Sequence, residues 1–211
     1  MPAANDAQFW NRMARRYAAS PISDMAGYER TLEHTRRYLQ SGHAVLEIGC
    51  GTGTTALKLA PHVARYVASD ISPEMTAIGR EKAAAGAHAN LSFEVAAPEA
   101  PPWAEAAFDA VLAFNLLHLV KARTAALAGV HRVLKPAGVF ISKTPCLGEA
   151  NPIFRIAVPA MQAIGQAPYV AFFTARELEQ EIEAAGFEIV ERARHASRGK
   201  DSRPFLVARK V

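Results

Sequence analysis

Cysteine is almost absent from this chain. Cys50 and Cys146 are the only two in 211 residues, which excludes a disulfide framework and the paired spacings that hold zinc. The opening stretch, MPAANDAQFW, has no basic start followed by an apolar run, so no secretory leader is expected. Long hydrophobic runs are missing too. The longest, FDAVLAFNLLHLV, is interrupted by Asp109, Asn115 and His118, and it is shorter than the roughly 20 residues a membrane-spanning helix needs. There is no internal repeat and no low-complexity tract beyond a bias towards alanine. No stripe of Lys and Arg interleaved with aromatics marks a nucleic-acid surface; RRY and RTLEHTRRYL are short and read as solvated helix faces. The expected setting is cytoplasmic and reducing, with no membrane span and no nucleic-acid partner.

What is present is globular. Half of the residues are hydrophobic and 21% are charged, with a formal net charge of +4, enough apolar material for one sizeable core. The first forty residues read as helical. Phe9, Trp10, Met13, Ala14 and Tyr17 fall on one face, Pro21 interrupts, and a second helix runs through Tyr28, Leu32 and Leu39 to a stop at Ser41 and Gly42. The pattern then changes to short apolar strands alternating with helices: AVLEIG, TTALKLAPHV, RYVASD, SPEMTAIGREKAAAG, LSFEVA, FDAVLAFN, ARTAALAGVHRVLKPAG and VFISKTP. Ser72 reads as an N-cap with Pro73 in the first turn, and Gly86 lies past the end of that helix. Pro136 and Gly138 read as the stop of the last helix in this series. Such alternation builds right-handed βαβ units on a mostly parallel sheet. Residues 146–173 break it with Pro152, Pro159 and Pro168 around an amphipathic piece from Ile153 to Ile164, and read as an insertion over the sheet edge. TARELEQEIEAAGFEIVERARH is a capped helix running into a strand. PFLVARKV is a further strand, and the two closing strands suggest an antiparallel edge hairpin. The expected organisation is a helical cap over residues 1–42, a core over 43–145, the insertion at 146–173 and the remainder of the core at 174–211.

The chemistry begins at residues 45–53, VLEIGCGTG. An apolar strand ends in three alternating glycines, Gly49, Gly51 and Gly53. In open α/β sheets, ligands lie beyond the carboxyl ends of the strands, and glycines there allow close backbone approach. A tight turn alone would explain the glycines, but two acids point further. Asp70 ends the next strand, where a carboxylate can accept from both hydroxyls of a ribose. Glu47 sits inside the apolar first strand, where an unpaired carboxylate is costly and requires a donor or a cation. The spacing G-x-G-x-G differs from the dinucleotide fingerprint G-x-G-x-x-G. An acid two residues before the first glycine would repel a pyrophosphate, whereas it suits a ligand carrying an ammonium group.

These motifs resemble motif I and the following acidic motif, here ASDIS, of the class I S-adenosylmethionine-dependent methyltransferases, of the small-molecule, methyltransferase-domain 11/25-like kind. PPWAEAAFDAVLAFNLLHLV resembles the family's fourth-strand region, RVLKPAGVFISKTP its LKPGG turn and fifth strand, and IEAAGFEIVE its late helix and strand. The resemblance covers roughly residues 45–211 in the family's order. It implies an α/β, Rossmann-like, doubly wound seven-stranded sheet, mostly parallel, with an antiparallel edge hairpin and a helical cap. It also implies S-adenosylmethionine as cofactor, S-adenosylhomocysteine as product, and methyl transfer to a small-molecule acceptor. Gly49, Gly51 and Gly53 would line its methionine part, with Cys50 among the cofactor-binding residues, and Glu47 would orient the ammonium group. Asp70 would hold the ribose. Ile71 and Met75 would pack on the adenine, and Asn115 and Leu116 would lie beside the methionine. One position departs from the pattern: Ala97 stands where many members carry the acid that accepts the adenine amino group, and Glu99 is a candidate substitute.

For the acceptor, in-line displacement needs alignment and exclusion of water, and a base only if the acceptor must lose a proton. His118 and Tyr17 are the candidate catalytic residues, each with packing as its competing role. Tyr169, Phe172 and Phe173 are candidates for an acceptor pocket. No Asp and Asn cluster after the fourth strand offers a metal site. His34, His43, His62, His88, His131 and His195 show no ligand spacing. Cys50, between two glycines, reads as a small residue rather than a nucleophile. A cofactor-binding protein without transfer activity and a nicotinamide oxidoreductase are the competing functional readings. The acceptor and the oligomeric state stay open.

Overall fold

A computed structural model describes residues 2–86, 88–149, 153–163, 165–199 and 201–211. Pro152 and Ile164, named above in the insertion, lie outside these residues. Two helices come first, α1 (Pro2–Ala19) and α2 (Met25–Arg36). They are followed by β1 (Ala44–Ile48), α3 (Thr54–Leu59), β2 (Arg65–Asp70), α4 (Pro73–Gly86), β3 (Leu91–Val95), β4 (Phe108–Phe114), α5 (Arg123–Val133), β5 (Leu134–Lys143), α6 (Phe154–Ala163), α7 (Ala175–Ala184), β6 (Phe187–Ala193) and β7 (Phe205–Lys210). No helix among the described residues is long and apolar enough to cross a membrane.

The strands form one sheet in the order β3-β2-β1-β4-β5-β7-β6. β7 runs antiparallel to both its neighbours, and the other pairings are parallel. The fold expected from the sequence is therefore present. The direction of strand order reverses between β1 and β4, where a ligand crevice opens in this architecture. The central strands are buried on both faces, which is why they read as continuous apolar runs rather than alternating ones. On one face Leu46, Val111 and Phe140 pack with Leu127 of α5 and with Leu178 and Ile182 of α7. On the other, Val45, Tyr66, Leu112 and Ile141 pack with Leu32 of α2 and Leu59 of α3. Each such side chain contributes about 1.5–3 kcal/mol by leaving water.

The elements start where the local chemistry allows. Thr174 accepts from the backbone N–H of Glu177, whose carboxylate accepts from the backbone N–H of Thr174 in return, closing a capping box on α7. Ser72 caps α4 through Met75 N–H, and its own hydroxyl donates to Asn11 of α1 at 2.6 Å. That bond, with Ala14 buried against Met75 and Ile78, docks α1 at the start of α4. Asp109 joins three strands at their entry ends, accepting from Ala44 N–H and from Lys135 Nζ, each at 2.8 Å.

Three boundaries differ from the sequence reading. α2 stops at Arg36 rather than at Ser41, because the chain tightens into turns at Arg37, Tyr38 and Leu39. Gly86 is the last residue of α4 rather than the one beyond it. The Lys135–Gly138 stretch, read as a helix stop, belongs to the start of β5; α5 already ends at Val133, and the chain turns at Ala137 with φ +60. The proline and glycine mark an irregular strand entry with a register shift between Phe108 and Ala110 opposite it. Leu112 is fully buried at the centre of the sheet, so Leu112→Ala is expected to lower unfolding stability by about 2–5 kcal/mol in urea denaturation.

Candidate active site

The turn after β1 is left-handed three times: φ is +66 at Gly49, +54 at Gly51 and +75 at Gly53. The three glycines nonetheless serve different ends. A Cβ on Gly49 would lie 2.5 Å from Leu116, and one on Gly53 would lie 2.5 Å from the Phe93 ring, so both are held bare by packing. A Cβ on Gly51 would meet only the edge of Tyr17, at 3.4 Å. Gly51 is thus the bare point of the loop that faces open space.

Asp70 fixes that point. Its Oδ2 accepts from Gly51 N–H and its Oδ1 from Ser72 N–H, both at 2.9 Å. The carboxylate ties the β1 loop to the β2 loop and still has lone pairs free for a ligand. Burial raises its pKa, against the lowering effect of the backbone donors from Ser72, Gly51 and Ile71. Glu47 lies on the adjoining strand and is 2% exposed. Its Oε2 accepts from Tyr66 O–H at 2.8 Å. Burial pushes its pKa up to about 8, with the charge of Asp70 acting in the same direction and the Tyr66 bond against it. Tyr66 was not foreseen as this donor. Val45 pairs with Tyr66 and Glu47 with Ala68, so parity alone sets Tyr66 on the face of Glu47.

Two cavities meet at this loop. The smaller, about 100 Å³, is lined by Gly49, Gly51, Asp70, Ile71, Met75, Asn115 and Leu116, with Trp10 and Tyr17 from α1 above and Pro98, Glu99 and Tyr169 at the sides. The larger, about 480 Å³, takes Glu47, Gly49, Cys50 and Asn115 on one side and Tyr28, Thr31, Lys143 and Arg203 on the other. Tyr17 belongs to both walls, and 49% of its surface stays open. The packing it does have raises its phenol pKa, as do the carboxylates of Asp70 and Glu47. Asn115 sits between the cavities with φ +52, its N–H donating to Lys143 O at 2.7 Å.

The structure gathers most of the residues named from the sequence around these two spaces. Gly53 stands behind the loop against Phe93. Ala97 is not among the lining residues, whereas its neighbours Pro98 and Glu99 are. His118 lines neither cavity. Its Nδ1 lies 3.5 Å from Thr144 Oγ1, and burial lowers its pKa to about 4, with the charge of Arg203 adding to that. Cys50 is buried, its thiol pushed up by burial and then by Glu47 and Asp70, which leaves no reactive thiolate. Of the three aromatics expected to line an acceptor pocket, Tyr169 borders the smaller cavity, and Phe173 is core. Phe172 borders neither cavity. Residues 165–173 return over the end of β4, with Ala171 N–H donating to His118 O at 2.7 Å. Lys121 links three segments at the mouth: its Nζ is 2.8 Å from Asp6 of α1 and 5.3 Å from the Tyr169 ring centre. Lys143 and Arg203 carried no signal in the sequence, because they come from separate segments with no motif spacing.

A doubly wound sheet, a left-handed glycine turn at its switch point, and a carboxyl group on either side of that turn make this the candidate ligand site of an α/β fold. Comparison with known proteins sharpens this. Residues 45–138 match the family model described as Methyltransferase domain. The ubiquinone/menaquinone biosynthesis C-methyltransferase UbiE of Geotalea uraniireducens is 37% identical over 107 residues, which are 48% of this chain and 45% of that protein. The chain spans about half the length of the curated relatives it matches. Among solved structures, magnesium protoporphyrin IX methyltransferase from Synechocystis PCC 6803 with bound SAH superposes with a TM-score of 0.75 over 100% of both chains at 16% identity. The [4+2]-cyclase SpnF superposes at 0.74 over 86% of this chain and 80% of that one, at 21% identity. Over residues 45–138 the chain is thus similar to a methyltransferase domain, and its fold is that of the superposed structures.

The site's geometry fits the S-adenosylmethionine that the sequence motifs imply: Gly51 is a cradle that a Cβ would fill, and Glu47 is a buried carboxyl with a single side-chain donor. Gly51→Ala is expected to weaken S-adenosylhomocysteine binding at least tenfold by calorimetry, while strain at φ +54 costs only about 1 kcal/mol of stability. Below pH 8, free Glu47 holds a proton that an ammonium ligand would displace. Affinity is therefore expected to rise about tenfold between pH 6 and pH 7, and Glu47→Gln is expected to flatten that slope.

Proposed function

We propose that this chain transfers the methyl group of S-adenosylmethionine to a small-molecule acceptor by in-line displacement. The observation that carries the reading is Gly51, bare and left-handed beneath a cavity, with Asp70 and Glu47 on its two sides. When bound, the cofactor supplies a methyl group already activated on a sulfonium. The chain's own part is to bind, align and exclude water.

Asp70 accepts from the ribose hydroxyls with the lone pairs that Gly51 and Ser72 leave free. Ile71, Met75 and Pro98 form the apolar walls of the adenine end, and Glu99 takes the role that Ala97 lacks. Glu47 loses its proton to solvent and pairs with the amino group. Gly49, Cys50, Asn115 and Leu116 flank the methionine portion. Tyr17 divides the cofactor side from the larger cavity, where the acceptor enters, and serves as a positioning residue. His118 faces neither cavity, so the acceptor's proton is not assigned to it. α1 and residues 146–173 act as the lid, with the Asp6, Lys121 and Tyr169 contacts at its seam. The UbiE relative of Geotalea uraniireducens is named as a C-methyltransferase, which makes a carbon nucleophile the first acceptor class to test.

A ligand that binds only the folded state raises the melting temperature. S-adenosylhomocysteine is expected to do so, and NAD(H) and NADP(H) are not. Turnover of S-adenosylmethionine is expected with a member of a metabolite panel. Stabilisation by a nicotinamide alone would overturn the reading, and tight cofactor binding with no turnover on any acceptor would leave a binding protein.

A further inference from the structure

The larger cavity has a wall that the cofactor residues do not use. It is formed by the end of β5 and the segment leading into β7, and it presents Lys143, Arg198 and Arg203. Lys143 Nζ donates to Thr31 Oγ1 at 3.0 Å. That hydroxyl donates its own proton to Gly27 O at 2.8 Å and lies 3.0 Å from Nδ1 of buried His195. A hydroxyl has one proton, so His195 must donate here, with its proton on Nδ1. His195 is a neutral imidazole, its pKa lowered to about 4 by burial and then by the charge of Lys143. Thr31 thus anchors the ammonium group and leaves two of its N–H donors for the cavity.

The carboxylates of the same wall are already occupied. Asp24 accepts from Gly27 N–H, Ser197 N–H and Ser197 O–H. Asp201 accepts from the backbone N–H groups of His195, Ala196 and Arg203. Among the described residues, Lys143, Arg198 and Arg203 enter no ion pair. Burial lowers the Lys143 pKa; Asp201 and Asp24 oppose that, and Arg203 and Arg30 add to it. Cation beside cation, with the local carboxylates turned to backbone donors, is a site short of one negative charge.

We propose that Lys143 and Arg203 hold a carboxylate of the methyl acceptor, so that the acceptor is an organic acid anchored one strand away from Asn115. This rests on the methyltransferase reading for the word acceptor, though the anion site itself does not. Lys143 follows Ser142 at the end of β5, and its carbonyl accepts from Asn115 N–H, which sets the anchor beside the seam between the two cavities. The carboxylate makes charge-assisted hydrogen bonds and forms no covalent bond at this site.

The test uses matched probes on the full chain loaded with S-adenosylhomocysteine: benzoate against benzamide, and salicylate against salicylamide, by calorimetry. Each acid is expected to bind at least tenfold tighter than its amide. K143Q is expected to abolish that preference and R203Q to reduce it severalfold, with S-adenosylhomocysteine affinity within twofold of the parent in both variants. Arg203 is exposed at the surface, so R203Q reads the site even if K143Q disturbs folding. Equal binding of acid and amide by the parent chain would overturn the proposal. So would a tenfold loss of S-adenosylhomocysteine affinity in K143Q, which would place Lys143 on the cofactor's own carboxylate. If S-adenosylhomocysteine fails to bind at all, the methyltransferase reading falls, and the acid-against-amide comparison on the unloaded chain still decides the anion site.

Discussion

The Asp70 carboxylate holds the site together. One of its oxygens takes the N–H of Gly51 and the other the N–H of Ser72. A left-handed glycine turn has few contacts of its own, and without a fixed acceptor it would sample many conformations. The clamp gives it one. It also couples the end of β1 to the end of β2, so the floor of the cavity is set by the register of two parallel strands. Everything above that floor is positioned from it: α4 begins at Ser72, Ser72 bonds Asn11 of α1, and α1 brings Trp10 and Tyr17 over the opening.

The opposite acid works by the reverse principle. Glu47 is costly where it is, buried in an apolar strand with Tyr66 as its side-chain donor. A buried carboxyl that keeps its proton until about pH 8 is a site prepared for a cation. In the proposed reading the two acids divide the ligand between them: the ribose end goes to a carboxylate held by backbone donors, and the amino end goes to a carboxyl whose ionisation a positive charge favours.

Much of this was legible in the chain, for identifiable reasons. Strand and helix order followed from runs such as AVLEIG and RYVASD, whose short apolar continuity between turn signals suits a doubly covered parallel strand. The glycine turn and both acids were legible because their roles depend on spacing within one βαβ unit. Boundaries were less so. Pro136 and Gly138 read as a helix stop, yet they lie in the irregular entry to β5, since proline and glycine mark a break without saying which element owns it. The role of Tyr66 needed strand register as well as residue type. The wall with Lys143 and Arg203 was invisible, because it unites the end of one strand with the approach to another some sixty residues on. His118, adjacent in sequence to the site, turns instead towards Thr144.

Glu47 and Asp70 are proposed to hold the two ends of one nucleoside amino acid across Gly51. A crystal structure of the chain soaked with S-adenosylhomocysteine tests it most directly. The ribose hydroxyls are expected within hydrogen-bond distance of Asp70 and the amino nitrogen within the same reach of Glu47, with the ligand lying against Gly51. A ligand seated elsewhere, or one whose amino group avoids Glu47 while that carboxyl keeps Tyr66 alone, would contradict it.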